Sequence, residues 1–249
     1  MSRRKALAWL AAAGIAACAP FGDANQPLAL ARVVAPHDAD TLVIVLPGRR
    51  DDLASLRGSG IADVFARHWP RAEVVLAEAT LAYYVAGGLA DRLHREVVAP
   101  AKARGIERVW LVGASLGGFG AIRYADEHPG EVEGLVLLAP YLGDAALQRG
   151  IAARGGLIAH DPGVPERPVT RDNVDTETWK TLARWARDRD SAPRIWVAYG
   201  REDPFAAAAP LMRELAGDAR VIVREGGHAW RVWVPAADEI ASAAATPRE

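Results

Sequence analysis

The sequence predicts an α/β chain built on a mainly parallel sheet with helices on both faces, and three observations predict it. Short apolar runs rich in β-branched residues alternate with amphipathic stretches along most of the chain, the pattern of strands joined by crossover helices. The run Thr41-Leu42-Val43-Ile44-Val45-Leu46 is almost continuously apolar, which suits a strand covered on both faces. The run at 109–113 passes through Gly113-Ala114-Ser115-Leu116-Gly117 into an amphipathic stretch reaching about His128. That order reads as strand, sharp turn, helix, with a serine at the apex of the turn.

Residues 1–18 read as a targeting segment. Arg3-Arg4-Lys5 precedes an apolar run at 6–17, and Ile15-Ala16-Ala17-Cys18 sets small residues before the only cysteine. The run is shorter than the roughly 20 residues a spanning helix needs, so it reads as a signal peptide. It resembles a bacterial lipoprotein signal, with Ile15 where leucine is usual and Cys18 as the lipidated residue. Ser2-Arg3-Arg4 is also similar to part of a twin-arginine export signal. Plain cleavage to a secreted protein and a short N-terminal helix remain alternatives. The resemblance implies an exported, membrane-anchored lipoprotein facing the periplasm or exterior. One cysteine allows no intrachain disulfide. Loss of residues 1–17 would remove three cations from a formal charge of -1 and leave -4. A chain so charged is not expected to bind nucleic acid, and its membrane link would be the lipid alone.

The remaining elements follow in order. Residues 19–27 read as a polar linker, and 28–249 as a single domain. Strands are expected at 28–34, 41–46, 73–77, 109–113, 136–140, 195–199 and 220–224. Helices are expected at 61–68, at 89–103 with Leu89, Leu93, Val97 and Val98 on one side, at 204–216 and after 229. Residues 78–88 read as a loop whose Tyr83 and Tyr84 either pack a pocket rim or touch substrate. The alternation breaks between 141 and 192. There, an irregular stretch with three prolines precedes a helix at 175–187 that turns Trp179, Leu182 and Trp185 inward. This insertion either covers a site opening or simply wanders back to the sheet.

The chemistry starts from Ser115. A P-loop is excluded because no lysine follows the glycines, and Gly113-Ala114-Ser115 breaks the dinucleotide fingerprint. A serine hydroxyl needs an adjacent base, and the base needs a third group to orient it. Open α/β sheets place such groups in loops after the carboxyl ends of strands. Two later loops qualify, Tyr199-Gly200-Arg201-Glu202-Asp203-Pro204 and Glu225-Gly226-Gly227-His228-Ala229-Trp230. The chain order is then Ser, Asp, His.

These motifs resemble those of the α/β-hydrolase superfamily over about residues 41–240. Residues 117–121 and 226–233 are also similar to its esterase D and enterochelin-esterase branch, which carries an acidic or polar residue where this chain has Ala229. The resemblance implies an α/β-hydrolase fold with Ser115 as nucleophile, His228 as general base and acid, and Asp203 as its orienting acid. Glu202 is the competing carboxylate. It also implies oxyanion donors at the backbone N–H of Leu116 and of Arg49, in a loop where Pro47 stands for the usual histidine. No cofactor is implied, and the expected partner is a small-molecule acyl ester. Acyl transfer, thioester or peptide cleavage by the same triad stays open, as does a lipid-anchored binding protein that has lost catalysis.

Pro47-Gly48-Arg49-Arg50-Asp51-Asp52 should border the scissile carbonyl. Its arginines are expected to pair with Asp51 or Asp52 in an exposed network. The sharper alternative has Arg49 or Arg50 gripping a substrate carboxylate or phosphate. No metal is expected: His128 sits at a helix end, and His37, His68, His94 and His160 lack zinc-type spacing.

Overall fold

Seven apolar runs form strands and assemble into one sheet in the computed structural model, which describes residues 22–159, 163–167 and 169–245. The strands are β1 (Ala29–Val34), β2 (Thr41–Leu46), β3 (Ala72–Glu78), β4 (Arg108–Ala114), β5 (Gly134–Leu138), β6 (Arg194–Gly200) and β7 (Val221–Arg224). Their order is β1-β3-β2-β4-β5-β6-β7. Only β1 runs antiparallel to its neighbour, β3. All six residues of β2 are buried, so both faces of the sheet are covered, as its unbroken apolar run predicts. The chain moves outward from β2 to β3 and then returns to β4. This reversal leaves a crevice at the carboxyl ends of β2 and β4, where Leu46 pairs with Gly113.

The helices are α1 (Leu53–Gly58), α2 (Ile61–His68), α3 (Leu81–Ala86), α4 (Leu89–Leu93, His94–Val98 and Ala99–Lys102), α5 (Leu116–Glu127), α6 (Ala145–Ala153), α7 (Gly156–Ala159), α8 (Val174–Arg187), α9 (Ala209–Ala216) and α10 (Trp230–Ala244). Two groups cover the sheet: α2 packs on α10, and α5 packs on α4 and α8. Among the described residues no helix is long and apolar enough to cross a membrane.

Several elements differ from expectation for local reasons. Residues 78–88 are not all loop. Leu81–Ala86 contains no helix breaker, Thr80 enters it in extended conformation, and Gly87 and Gly88 at positive φ end it. α1 forms because Asp52 caps it, accepting the Ser55 N–H at 2.8 Å. α4 contains a π turn at His94–Val98, just before Pro100; proline lacks an N–H to donate and crowds the preceding turn. β5 stops at Leu138 rather than 140, because Ala139 turns to φ +45 ahead of Pro140. Residues 204–216 begin with a 3-10 turn before α9.

The insertion at 141–192 folds into α6, α7 and α8 and is tied to the sheet. Trp179, Leu182 and Trp185 are buried as expected, and the Trp179 indole N–H donates to the Leu142 carbonyl at 2.8 Å. The buried Asp126 carboxylate on α5 receives Arg123, Arg167 and Arg184. Two of those arginines belong to the insertion, so cutting the network would strand a buried charge. Residues 24–27 of the expected linker, and Leu28 after them, also pack down. Arg92 donates to the Ala24 carbonyl, Tyr83 donates to Gln26 and Pro27, and the Leu28 N–H donates to Glu96. The signal segment with Cys18, and His160, lie outside the described residues.

Candidate active site

Ser115 is the bend between β4 and α5, and its backbone is held at φ +52, ψ -113. A non-glycine residue there is strained by about 1–3 kcal/mol. The surroundings hold it: the Ser115 N–H donates to Leu138 at 2.8 Å, and its carbonyl receives the Tyr141 N–H at 2.9 Å. Gly117 lets the start of α5 press onto the end of β2, because a Cβ there would collide with the Leu46 carbonyl. That contact seats the Pro47-Gly48-Arg49 turn beside the serine.

Asp203 and His228 meet on the adjoining strands. The acid turn follows β6 and the histidine loop follows β7. The two press backbone to backbone at Gly200, where a side chain would strike the Gly226 carbonyl. His228 Nδ1 lies 2.8 Å from Asp203 Oδ2, and Asp203 Oδ1 accepts the Phe205 N–H at 2.8 Å. The Asp203 carboxylate is fully buried, while the His228 ring is 28% exposed. This geometry makes Nδ1 the protonated nitrogen and leaves Nε2 free to act. Phe205 and Trp233 meet the imidazole edge-on at 5.1 and 4.6 Å, fixing its plane. Glu202, the competing carboxylate, is exposed, and it joins the site only through its N–H on Gly226.

Among the described residues the Ser115 hydroxyl makes no hydrogen bond, to His228 or to any other group. Such bonds are often loose before substrate binds. An aromatic string runs from Phe119 on α5 through Tyr141 and Phe205 to His228.

The turn after β2 departs from expectation. Asp51 and Asp52 do not pair with the arginines. Asp52 caps α1, and the half-buried Asp51 accepts the Gly48 N–H at 3.1 Å while its own N–H returns to the Gly48 carbonyl at 3.1 Å. Arg49 and Arg50 are exposed and form no ion pair among the described residues. The acids are claimed by backbone N–H groups, which bind a carboxylate without ordering a long cationic side chain. Gly48 lies between Asp51 and Ser115: a Cβ on it would stand 2.9 Å from Asp51 Oδ2 and 3.6 Å from Ser115 Cβ. Burial pushes the Asp51 carboxyl above its ordinary range. The Trp230 indole N–H, turned toward it without completing a hydrogen bond, and the Gly48 N–H oppose the rise; the Asp52 charge adds to it, and His228 opposes it. Among the described residues the Arg49 N–H makes no backbone bond. The Leu116 N–H opens α5, where no intrahelical acceptor exists.

Tyr83 and Tyr84 divide in role. The Tyr83 hydroxyl donates to the Gln26 and Pro27 carbonyls, and the residue also lines a cavity together with Tyr84. Tyr84 packs on Phe119, and its buried hydroxyl has no partner among the described residues. The Asp51 bond that closes the turn onto Gly48 and the aromatic string escaped the sequence reading, although the Gly-x-x-Asp spacing of a closed turn was available for the former. A histidine cluster escaped it as well. His94 and His128 stack at 4.7 Å and 6°, and His94 Nδ1 lies 3.1 Å from Glu131 Oε2. Imidazole lone pairs lie in the ring plane, so stacked rings direct them along parallel planes rather than onto one ion.

Residues 91–174 match a family model described as Hydrolase_4, serine aminopeptidase, S33. No curated protein matches the chain. Among solved structures, S-formylglutathione hydrolase FrmB from Staphylococcus aureus is similar at TM-score 0.59 and 13% identity, over 84% of this chain and 82% of that one. The S. aureus fluorophosphonate-binding serine hydrolase FphF is similar at 0.56 and 13%, over 86% and 87%. A monoacylglycerol lipase from Paleococcus ferrophilus is similar at 0.52 and 16%, over 88% and 99%. The fold is therefore the α/β-hydrolase fold.

Proposed function

We propose that this chain is a serine hydrolase cleaving a carboxylic ester through an acyl-enzyme. The carrying observation is the 2.8 Å Asp203–His228 contact at the same sheet edge as a serine held at positive φ. In this reading Ser115 Oγ attacks the ester carbonyl while its proton passes to His228 Nε2. The carbonyl π electrons move to oxygen, and the oxyanion lies against the Leu116 and Arg49 N–H groups. Such preorganised donors act where the charge develops. Asp203 holds the imidazolium that forms. When the tetrahedral centre collapses, the ester C–O bond breaks and His228 returns the proton to the leaving alkoxide. Water then repeats the sequence with His228 as base, releasing the acid and Ser115.

The test is labelling with a fluorophosphonate together with turnover of a short-chain ester. Wild type is expected to label at Ser115 and to turn over. Ser115→Ala should lose both at unchanged thermal stability. A folded wild type that neither labels nor turns over would leave a non-catalytic binding protein on this fold. The description of the family matched at 91–174 favours a peptide bond as the second reading, and an amino-acid anilide beside the matched ester separates the two. We also propose export with lipidation at Cys18, supported by Arg3-Arg4-Lys5, the apolar run and Ile15-Ala16-Ala17-Cys18. Mass spectrometry of the processed N-terminus finding Cys18 unmodified would overturn that proposal and leave catalysis untouched.

A further inference from the structure

A cavity of about 440 Å³ opens one helical turn past Ser115, from Phe119 onward, and the catalytic reading does not use it. Its floor is one face of α5: Phe119, Gly120, Arg123 and Glu127. At 1.5 Å per residue, these positions lie roughly 6 to 18 Å along the helix from Ser115. One wall is the α3–α4 segment with Tyr84 and Leu89. The other is the insertion, through Tyr141, Val169, Val174 and Asp175. The end near Ser115 is aromatic, with the Phe119 ring 6.2 Å from both Tyr84 and Tyr141. Tyr141 ties this end to the site directly, since its N–H holds the Ser115 carbonyl.

The charges on the cavity floor are already paired, and the further lining cation, Arg171, is exposed to solvent. Arg123 is paired with Asp126 at 3.0 Å and with Glu127 at 2.7 Å. Burial raises the half-buried Asp175 carboxyl above its ordinary value, and the Asp144 charge adds to the rise. The exposed side chain of Val85 adds apolar surface at the lip. An ionic ligand finds no unpaired partner along the floor, whereas an uncharged apolar one gains from the rings and from Leu89, Val169 and Val174.

We propose that this cavity is the acyl subsite and that the preferred substrate carries an uncharged, extended apolar acyl chain laid along α5. The proposal rests on Ser115 being the nucleophile. Each methylene buried there should raise kcat/KM by up to about fourfold, so octanoyl should exceed acetyl by at least about tenfold even with partial burial.

The experiment measures kcat/KM of the full chain on p-nitrophenyl esters from acetyl to decanoyl. It also measures rates of Ser115 labelling by fluorophosphonates bearing short and long alkyl chains. Val174→Trp fills the cavity from the insertion, and Thr170→Trp narrows its exposed lip. Wild type is expected to climb with chain length in both assays. The variants should lose most of that climb while keeping acetyl turnover and short-probe labelling, which also verifies that they fold. A flat or falling wild-type profile overturns the proposal, as does a steep profile that both tryptophans leave intact. Labelling and acetyl turnover with no length dependence reject the subsite alone. Absence of both in folded wild type rejects the catalytic reading on which it rests.

Discussion

Replacing Asp51 with alanine tests how the turn after β2 serves the chemistry. The turn is closed twice, by the Asp51 N–H on the Gly48 carbonyl and by the Gly48 N–H on Asp51 Oδ2, both at 3.1 Å. Alanine deletes the second bond and leaves the Gly48 N–H without its acceptor. A hydrogen bond to a charged group contributes about 1.5–3 kcal/mol net. If that stabilisation is what holds the Arg49 N–H toward the oxyanion, its loss corresponds to roughly a 10- to 150-fold change in rate. Losing an oxyanion donor outright sets the ceiling, at about 100- to 1,000-fold. Asp51→Ala is therefore expected to lower kcat about 10- to 100-fold with KM nearly unchanged, because the donor acts on the transition state. Asp51→Asn keeps an oxygen acceptor and should stay within about fivefold of wild type at neutral pH. Burial lifts the Asp51 carboxyl, so it takes up its proton at a higher pH than an ordinary aspartate. The advantage of wild type over Asn should be full above that pKa and shrink as pH falls through it. Steady-state kinetics on a neutral short-chain ester across pH is the assay. Wild-type kcat in Asp51→Ala, or a loss confined to KM, refutes the positioning role. A wild-type advantage over Asn that grows toward acid pH refutes the part assigned to charge.

Other outcomes follow from the same geometry. Asp203→Asn should reduce turnover by roughly 10,000-fold by favouring the wrong imidazole tautomer, while Glu202→Gln should change little; the reverse ranking in kcat would reassign the acid. Arg49→Ala and Arg50→Ala, compared on matched neutral and anionic esters, should leave the neutral ester within about threefold, since the backbone N–H at Arg49 survives either change. A selective loss on the anionic ester by either variant would make that guanidinium a substrate contact. Burial raises the Asp175 carboxyl above the ordinary value of 3.8, so the native state binds that proton more tightly than the unfolded chain. Stability is then lost as pH rises from the unfolded value through the native pKa. Asp175→Asn should accordingly melt at a higher temperature than wild type near pH 7 and with no difference at about pH 3, read by thermal denaturation.

Much of this was legible in the chain because it is local. The run at β2 announces a strand covered on both faces. Residues 113–117 carry within five positions the small residues that a strained serine turn needs. The two loops with Asp203 and His228 each directly follow an apolar run. What tertiary structure alone decided are relations between segments far apart in sequence. Glu202 and Asp203 are adjacent, and only the stacking of the Gly200 turn on the Gly226 loop selects which carboxylate reaches His228. The acids of Pro47-Gly48-Arg49-Arg50-Asp51-Asp52 had cations next to them in sequence. Once the chain turned, backbone N–H groups were nearer and needed no ordering of an arginine side chain, so Arg49 and Arg50 form no ion pair among the described residues. The cavity over α5 is walled by α3–α4 on one side and by Tyr141, Val169, Val174 and Asp175 on the other. Those pieces share no sequence period, because their meeting is set by the order of strands in the sheet and by the buried Asp126 that holds the insertion down.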